Sequence, residues 1–191
     1  VVEISGAAPH KRADARRNEA ALLAAAATCF VDAGVDVPVR TIAARAGVGV
    51  GTIYRHFPTR ADLIVAVFRH QVEACAEAAP KLLADRDSPH DALAGWIDLF
   101  VDFLVTKHGL AEAVQSDSTT LGTLHAYFLE RLVPVCGTLL DAAADAGDIS
   151  PGQSPLELMY AVGNLCIGAG KDPRYDARRM TGVLVDGLRL H

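Results

Sequence analysis

From Arg40 to Phe57 the chain reads Arg-Thr-Ile-Ala-Ala-Arg-Ala-Gly-Val-Gly-Val-Gly-Thr-Ile-Tyr-Arg-His-Phe, followed by Pro58-Thr59-Arg60. This spacing predicts a short helix over 39–46, a glycine-containing turn and a second short helix over 50–57. Ile42, Ala43 and Ala46 give the first helix a small apolar inner face. Gly47 stands where a helix stop needs a residue tolerant of positive φ. Ile53 and Phe57, four residues apart, pin the second helix to a core and turn Thr52, Arg55 and His56 outward. A helix-turn-helix with such a second helix is shaped to enter a DNA major groove. Tyr54, on the border, is placed to send its hydroxyl to a phosphate.

Ile42-Ala43, Ala46-Gly47-Val48, Gly51-Thr52-Ile53-Tyr54-Arg55-His56-Phe57 and the helix start at Pro58-Thr59-Arg60 together resemble the DNA-binding domain of TetR-family transcriptional repressors. The resemblance runs from Arg16 to Val67, about a third of the chain, with the right context on both sides of the motif. Two departures bear on affinity. Gly49 replaces a Ser or Thr that often caps the recognition helix, and Pro38 replaces a capping Thr. Glycine costs an N-cap only about a few tenths of a kcal/mol, but it removes a hydroxyl that could touch phosphate.

The 191 residues are enough to bury about 70% of the unfolded surface without disulfide staples. A net charge of −5 spread evenly would argue against nucleic acid, but residues 1–60 carry +3 and residues 61–191 carry −8. A basic head on an acidic body orients toward phosphates. No run of eighteen apolar residues exists, and residues 1–12 lack a signal-peptide core, so no membrane partner is expected and the location is read as cytoplasmic. Cys29, Cys75, Cys136 and Cys166 lack Cys-x-x-Cys or His spacing. They are read as buried reduced thiols, with no metal and no cofactor.

The hydrophobic pattern is helical throughout, so the fold class is all-α with about nine helices. Residues 1–12 read as a flexible tail. A helix follows from Ala13 to Ala33, with Leu22, Leu23, Ala26, Ala27 and Phe30 on one face and Gly34 as its stop. Residues 13–59 form the expected three-helix DNA-binding domain. Residues 60–84 form a connecting helix capped by Thr59, with Leu63, Ile64, Val67, Phe68 and Val72 buried. Residues 85–191 form a helical ligand-binding and dimerisation domain. Its expected helices run from Pro89 to Lys107, from Leu110 to Gln115, from Thr120 to Ala146 with Pro134 inside, from Pro155 to Gly168 and from Asp176 to Leu190. Between Leu93 and Val105 only Asp98 and Asp102 are charged, which predicts one thin exposed stripe on a buried helix.

The DNA-facing set is Arg40, Thr41, Arg45, Val50, Gly51, Thr52, Tyr54, Arg55, His56 and Arg60. Arg40 is placed to reach a guanine edge or a phosphate, and Arg45 points toward the backbone. Val50, Gly51 and Thr52 occupy the first turn of the recognition helix, where bases are met. Arg55 is the candidate for a bidentate guanine contact; Tyr54, His56 and Arg60 are candidates for phosphate.

Residues 158–169 hold no charge, so the terminal helix pair is either packed deep in the monomer or covered by a partner. The resemblance implies the second, a homodimer through a four-helix bundle, with Met159, Val162, Leu165, Cys166, Met180, Val183, Leu184 and Leu188 at the interface. A twofold dimer has the symmetry to meet two half-sites about 34 Å apart. The resemblance also implies a small-molecule inducer bound among the helices of the second domain. Candidate lining residues are Trp96, Phe100, Phe103, Leu124, His125, Phe128 and Asn164. This second domain is similar to that of an actinobacterial TetR subgroup. The implied function is a homodimeric repressor of the bacterial cytoplasm, on the nucleoid when bound to a palindromic double-stranded operator and released by its inducer.

Rival readings fare worse. The glycines at 47, 49 and 51 do not follow a strand and no Lys-Ser/Thr comes after them, which excludes a dinucleotide fingerprint and a P-loop. No His-Glu-x-x-His or nucleophile elbow supports an enzyme. A regulator answering to a protein partner, or an activator, stays open.

Overall fold

The computed structural model describes residues 7–113, 118–167, 172 and 174–190, with side chains described over 17–104, 122–167, 172 and 174–190. Contacts divide the chain into two units, Val1–His70 and Gln71–His191. The helices, in order, are α1 (Ala7–Ala33), α2 (Val39–Ala46), α3 (Val50–His56), α4 (Arg60–Asp85), α5 (Pro89–Ala113), α6 (Ser118–Asp145), α7 (Pro155–Cys166) and α8 (Ala177–Asp186). The division falls inside α4.

The described residues thus form eight helices, not about nine. The helix expected over 110–115 is absorbed, as far as Ala113, into α5; residues 114 and 115 lie outside the described residues. Gly109 alone does not stop a helix, because one interior glycine costs only about 1 kcal/mol. α1 begins at Ala7, so residues 7–12, read as tail, are helical. Pro9 is harmless there, since the first turn has no intrahelical use for its missing N–H.

In the first unit the apolar faces close on one another: Leu22, Leu23, Ala26 and Phe30 of α1, Ile42 and Ala43 of α2, Ile53 of α3 with Phe57, and Leu63, Ile64 and Val67 of α4 are all buried. The turn between α2 and α3 is set by Gly47 at φ 67°. Its N–H donates to Ala44 and that of Val48 to Ala43, the paired bonds of a Schellman stop. Thr59 opens α4 with a reciprocal cap. Its N–H donates to Asp62 Oδ2 at 2.9 Å, and the Asp62 N–H donates to Thr59 Oγ1 at 3.1 Å; Asp takes the place usual for Glu.

In the second unit α5 contacts α6, α7 and α8. Leu93, Trp96, Ile97 and Phe100 of α5 are buried, and Trp96 Nε1 donates to the Cys75 carbonyl at 2.9 Å. Burying Phe100 alone stabilises by about 1.5–3 kcal/mol relative to leaving it in water. The exposed acids of α5 have a partner: Arg178 of α8 pairs with Asp102 and lies 4.0 Å from Asp98.

α8 ends at Asp186 rather than Leu190 because its last residues have other bonds to make. Arg189 forms an isolated antiparallel bridge with Ile149, and the Leu190 N–H donates to the Asp148 carbonyl at 2.9 Å. His90, buried in the first turn of α5, completes this tie. Its Nε2 lies 3.0 Å from the Val185 carbonyl and its Nδ1 accepts from Arg189 Nε at 2.9 Å. That pairing selects the neutral tautomer with the proton on Nε2.

Candidate nucleic-acid interface and ligand pocket

Burial of Ile53 and Phe57 fixes the roll of α3, so Val50, Gly51, Tyr54, Arg55 and His56 are exposed while Thr52 is half-buried. Arg40 and Thr41 are exposed at the start of α2. Neither short helix has a side-chain N-cap: Pro38 and Gly49 make none, as the two departures in sequence imply. The Arg55 guanidinium folds along its own helix, donating from Nη2 to Thr52 Oγ1 at 3.0 Å and from Nε to the Gly51 carbonyl at 3.4 Å. A groove beside α3 adds Asn18 and Glu19 of α1 to Thr52 and His56. Sequence reasoning named neither α1 residue; Arg16-Arg17 just before them was the only signal.

Two arginines of the expected set have other partners. Arg45 Nη1 is paired with Asp32 Oδ2 at 2.6 Å. The hydrogen bonds to Asp32 and then to Cys29 raise its pKa further, and they tie it to the end of α1. Arg60 is half-buried, and its Nη2 donates to the carbonyls of Val35 and Val37. These bonds engage one end of the guanidinium inside the protein. A lone Arg60 in a list of basic residues carries no sign of which carbonyls its loop will present.

In the second unit a pocket of about 80 Å³ opens between α5, α6 and α7, lined by Phe100, Leu104, His125, Phe128, Leu129, Leu156, Met159, Tyr160, Gly163 and Asn164. Phe100, His125, Phe128 and Asn164 of the expected set line it. Trp96, Phe103 and Leu124 do not: Trp96 and Leu124 are buried in the core, and Phe103 faces a separate depression beside Cys75. Apart from Asn164, sequence reasoning missed the lining from α7 because a charge-free helix gives no sign of which side is walled off.

The terminal pair also divides differently from expectation. Met159, Val162 and Cys166 are buried within the monomer, which removes them from a free interface, and Met159 faces the pocket. Leu165, Met180, Leu184 and Leu188 are half-buried. The large apolar residues turned to solvent are Val183 of α8, Leu156 and Tyr160 of α7, Ile167 just beyond α7 and Leu190 beyond α8. Helical position alone distinguishes the two sides, and it needs the roll of α7 that α5 and α6 impose.

Among the described residues no cluster of His, Cys, Asp and Glu is arranged to hold a metal, and no helix is long and apolar enough to cross a membrane. All four cysteines are buried and unbridged. Burial pushes the Cys75 and Cys136 thiols up to about 12, which keeps them protonated and unreactive.

Residues 22–67 match the family profile described as bacterial regulatory proteins, tetR family. Residues 88–190 match the profile of the SbtR-like transcriptional regulator C-terminal domain. Among solved structures, the TetR transcriptional regulator SCO0520 from Streptomyces coelicolor is 32% identical and superposes with a TM-score of 0.77 over 90% of this chain and 98% of that one. A TetR transcription regulatory protein from Mycobacterium vanbaalenii is 33% identical, with a TM-score of 0.70 over 94% and 99% of the two chains. An HTH-type transcriptional regulator of Staphylococcus aureus strain USA300 is 24% identical over 122 residues, spanning 63% of this chain and 66% of that protein, just under two thirds of its length. A helix-turn-helix head, an all-helical second unit and matches to regulators over both lead to one identification: the chain belongs to the TetR family of bacterial transcriptional regulators.

Proposed function

We propose that two copies of this chain bind a palindromic operator as a repressor of the bacterial cytoplasm and that a small molecule releases them. The observation that carries the reading is the outward row of α3, where Val50, Gly51, Tyr54, Arg55 and His56 stand exposed on a helix whose roll Ile53 and Phe57 fix. With Arg40 and Thr41 they make a patch of base-reading and phosphate-binding side chains. Val183, Ile167, Leu156 and Tyr160 supply exposed apolar surface on the terminal helices for a twofold contact. The pocket between α5, α6 and α7 supplies a place for an inducer. Helix α4 runs from one unit into the other and is the lever by which occupancy reaches the head. A coupling of about 1–3 kcal/mol suffices for such a switch.

The test is to select bound fragments from the source genome and retard them on gels. A twofold-symmetric site retained at physiological salt supports the reading. Indifference to every fragment overturns it.

A further inference from the structure

We infer that operator binding takes up a proton: a phosphate of the DNA backbone seats in the groove between α1 and α3, held by Asn18, Thr52 and a protonated His56. Glu19 is what makes the proton necessary. The inference rests on the operator binding proposed above. The groove measures about 460 Å³. α1 brings Asn18 and Glu19 to it, and α3 brings Thr52 and His56. A helix seated in a major groove has a sugar–phosphate strand along each flank, and this groove is one flank of α3.

Donors stand unused there. Asn18 is exposed, and its amide has no partner among the described residues. Thr52 Oγ1 accepts from Arg55 Nη2 at 3.0 Å, which leaves its hydroxyl hydrogen to give elsewhere. The exposed His56 ring lies 6.0 Å from that of Phe57 and has no hydrogen bond among the described residues. Glu19 is the exception in sign: half-buried, and likewise unpaired among the described residues. An unpaired carboxylate repels a phosphate brought into the same groove, and neutral donors do not offset that. Protonated His56 does, because it faces the carboxylate and the phosphate together, and two negative neighbours favour the charged ring. The rest of the lining, from α1 and from the turn between α2 and α3, is uncharged. The other charges at hand are Arg55, bonded along α3, and exposed Arg17, next to Asn18 in α1.

Gel retardation of the full chain on the operator fragment retained in the selection, over a salt series at each pH, tests this. Affinity should rise about threefold or more as pH falls from about 8 to about 6, where imidazole gains its charge. The salt slope should steepen by up to about 0.9 over the same range, as His56 comes to neutralise a phosphate. His56→Gln keeps a donor but takes no proton, and should lose both effects. Glu19→Gln should tighten binding at the upper pH and flatten the pH profile, because the phosphate no longer meets a second negative charge. Asn18→Ala should weaken binding by one factor on every sequence and at every pH, with the salt slope unchanged, since a neutral amide displaces no counterion. Three results overturn the inference and leave operator binding standing: affinity that ignores pH, a pH response that survives both His56→Gln and Glu19→Gln, or an Asn18→Ala protein that binds like the parent. A chain that retains no fragment at any pH overturns both.

Discussion

Arg60 Nη2 donates to the main-chain carbonyl of Val37 at 2.7 Å and also to that of Val35, so one side chain ties the loop after α1 to the first turn of α4. The two carbonyls belong to a loop whose Val35 and Val37 side chains are buried, where an unmatched acceptor is costly. Arg60→Met keeps the stem and removes the donors, and should lower unfolding free energy by about 1.5–3 kcal/mol in urea. If its donors are spent inside the protein, the dependence of DNA affinity on salt should keep its slope. A slope smaller by about one unit would instead place Arg60 on the DNA.

Arg55 is presented differently. Its bonds to Thr52 Oγ1 and to the Gly51 carbonyl hold the guanidinium along the exposed face of α3 and limit the rotamer entropy to be lost on meeting a base. Arg55→Ala should weaken operator binding by about 1–3 kcal/mol and relax the sequence requirement at one base pair. Helicity by circular dichroism should be unchanged. Equal loss on every sequence would mean that Arg55 binds phosphate instead.

The contrast between these arginines shows what was readable beforehand. The roll of α3 followed from Ile53 and Phe57 at a spacing of four, the turn from Gly47, and the cap of α4 from Thr59. Each is a local signal completed within a turn or two of chain. What Arg60 and Arg45 do depends on Val35, Val37 and Asp32, whose positions are set by packing. The same limit applies to α7. Its charge-free run announces burial, but only α5 and α6 decide that Met159 and Val162 face inward while Tyr160 faces out. Asp98 and Asp102 were legible as an exposed stripe, and their partner Arg178, more than seventy residues on, was not.

Glu73 offers a test by acid. Arg131 donates to its carboxylate from Nε at 2.8 Å and from Nη2 at 2.6 Å, and Tyr127 donates its hydroxyl. The Arg131 hydrogen bonds, and then that of Tyr127, hold the carboxyl down from 4.5 to about 2. A carboxylate depressed in the folded state contributes fully above its unfolded value and loses that contribution as pH falls from 4.5 toward 2. The side chains of Glu73 and Arg131 are 35% and 43% exposed, so water screens the pair and the contribution is about 1 kcal/mol or less. Stability should therefore fall less steeply between pH 4.5 and 2 in Glu73→Gln than in the parent. Parallel curves over that range would mean that the pair does not form in solution.

The terminal helices give the sharpest separation of roles. Val183 is 57% exposed and Ile167 53%, while Val162 and Cys166 are fully covered within the monomer. If the exposed set is the twofold contact, each copy meets the same residues of the other, and one substitution acts twice. Val183→Asp should then shift sedimentation toward monomer and weaken operator binding, since only a pair spans two half-sites. Its helicity should not change, because an aspartate at an exposed position buries no charge in the monomer. Met159→Ala should do the reverse. It removes a buried side chain that also lines the pocket, costs about 2–5 kcal/mol of folding stability, and leaves self-association intact below the melting transition. A Val183→Asp protein that still sediments as a dimer would move the twofold contact away from α8.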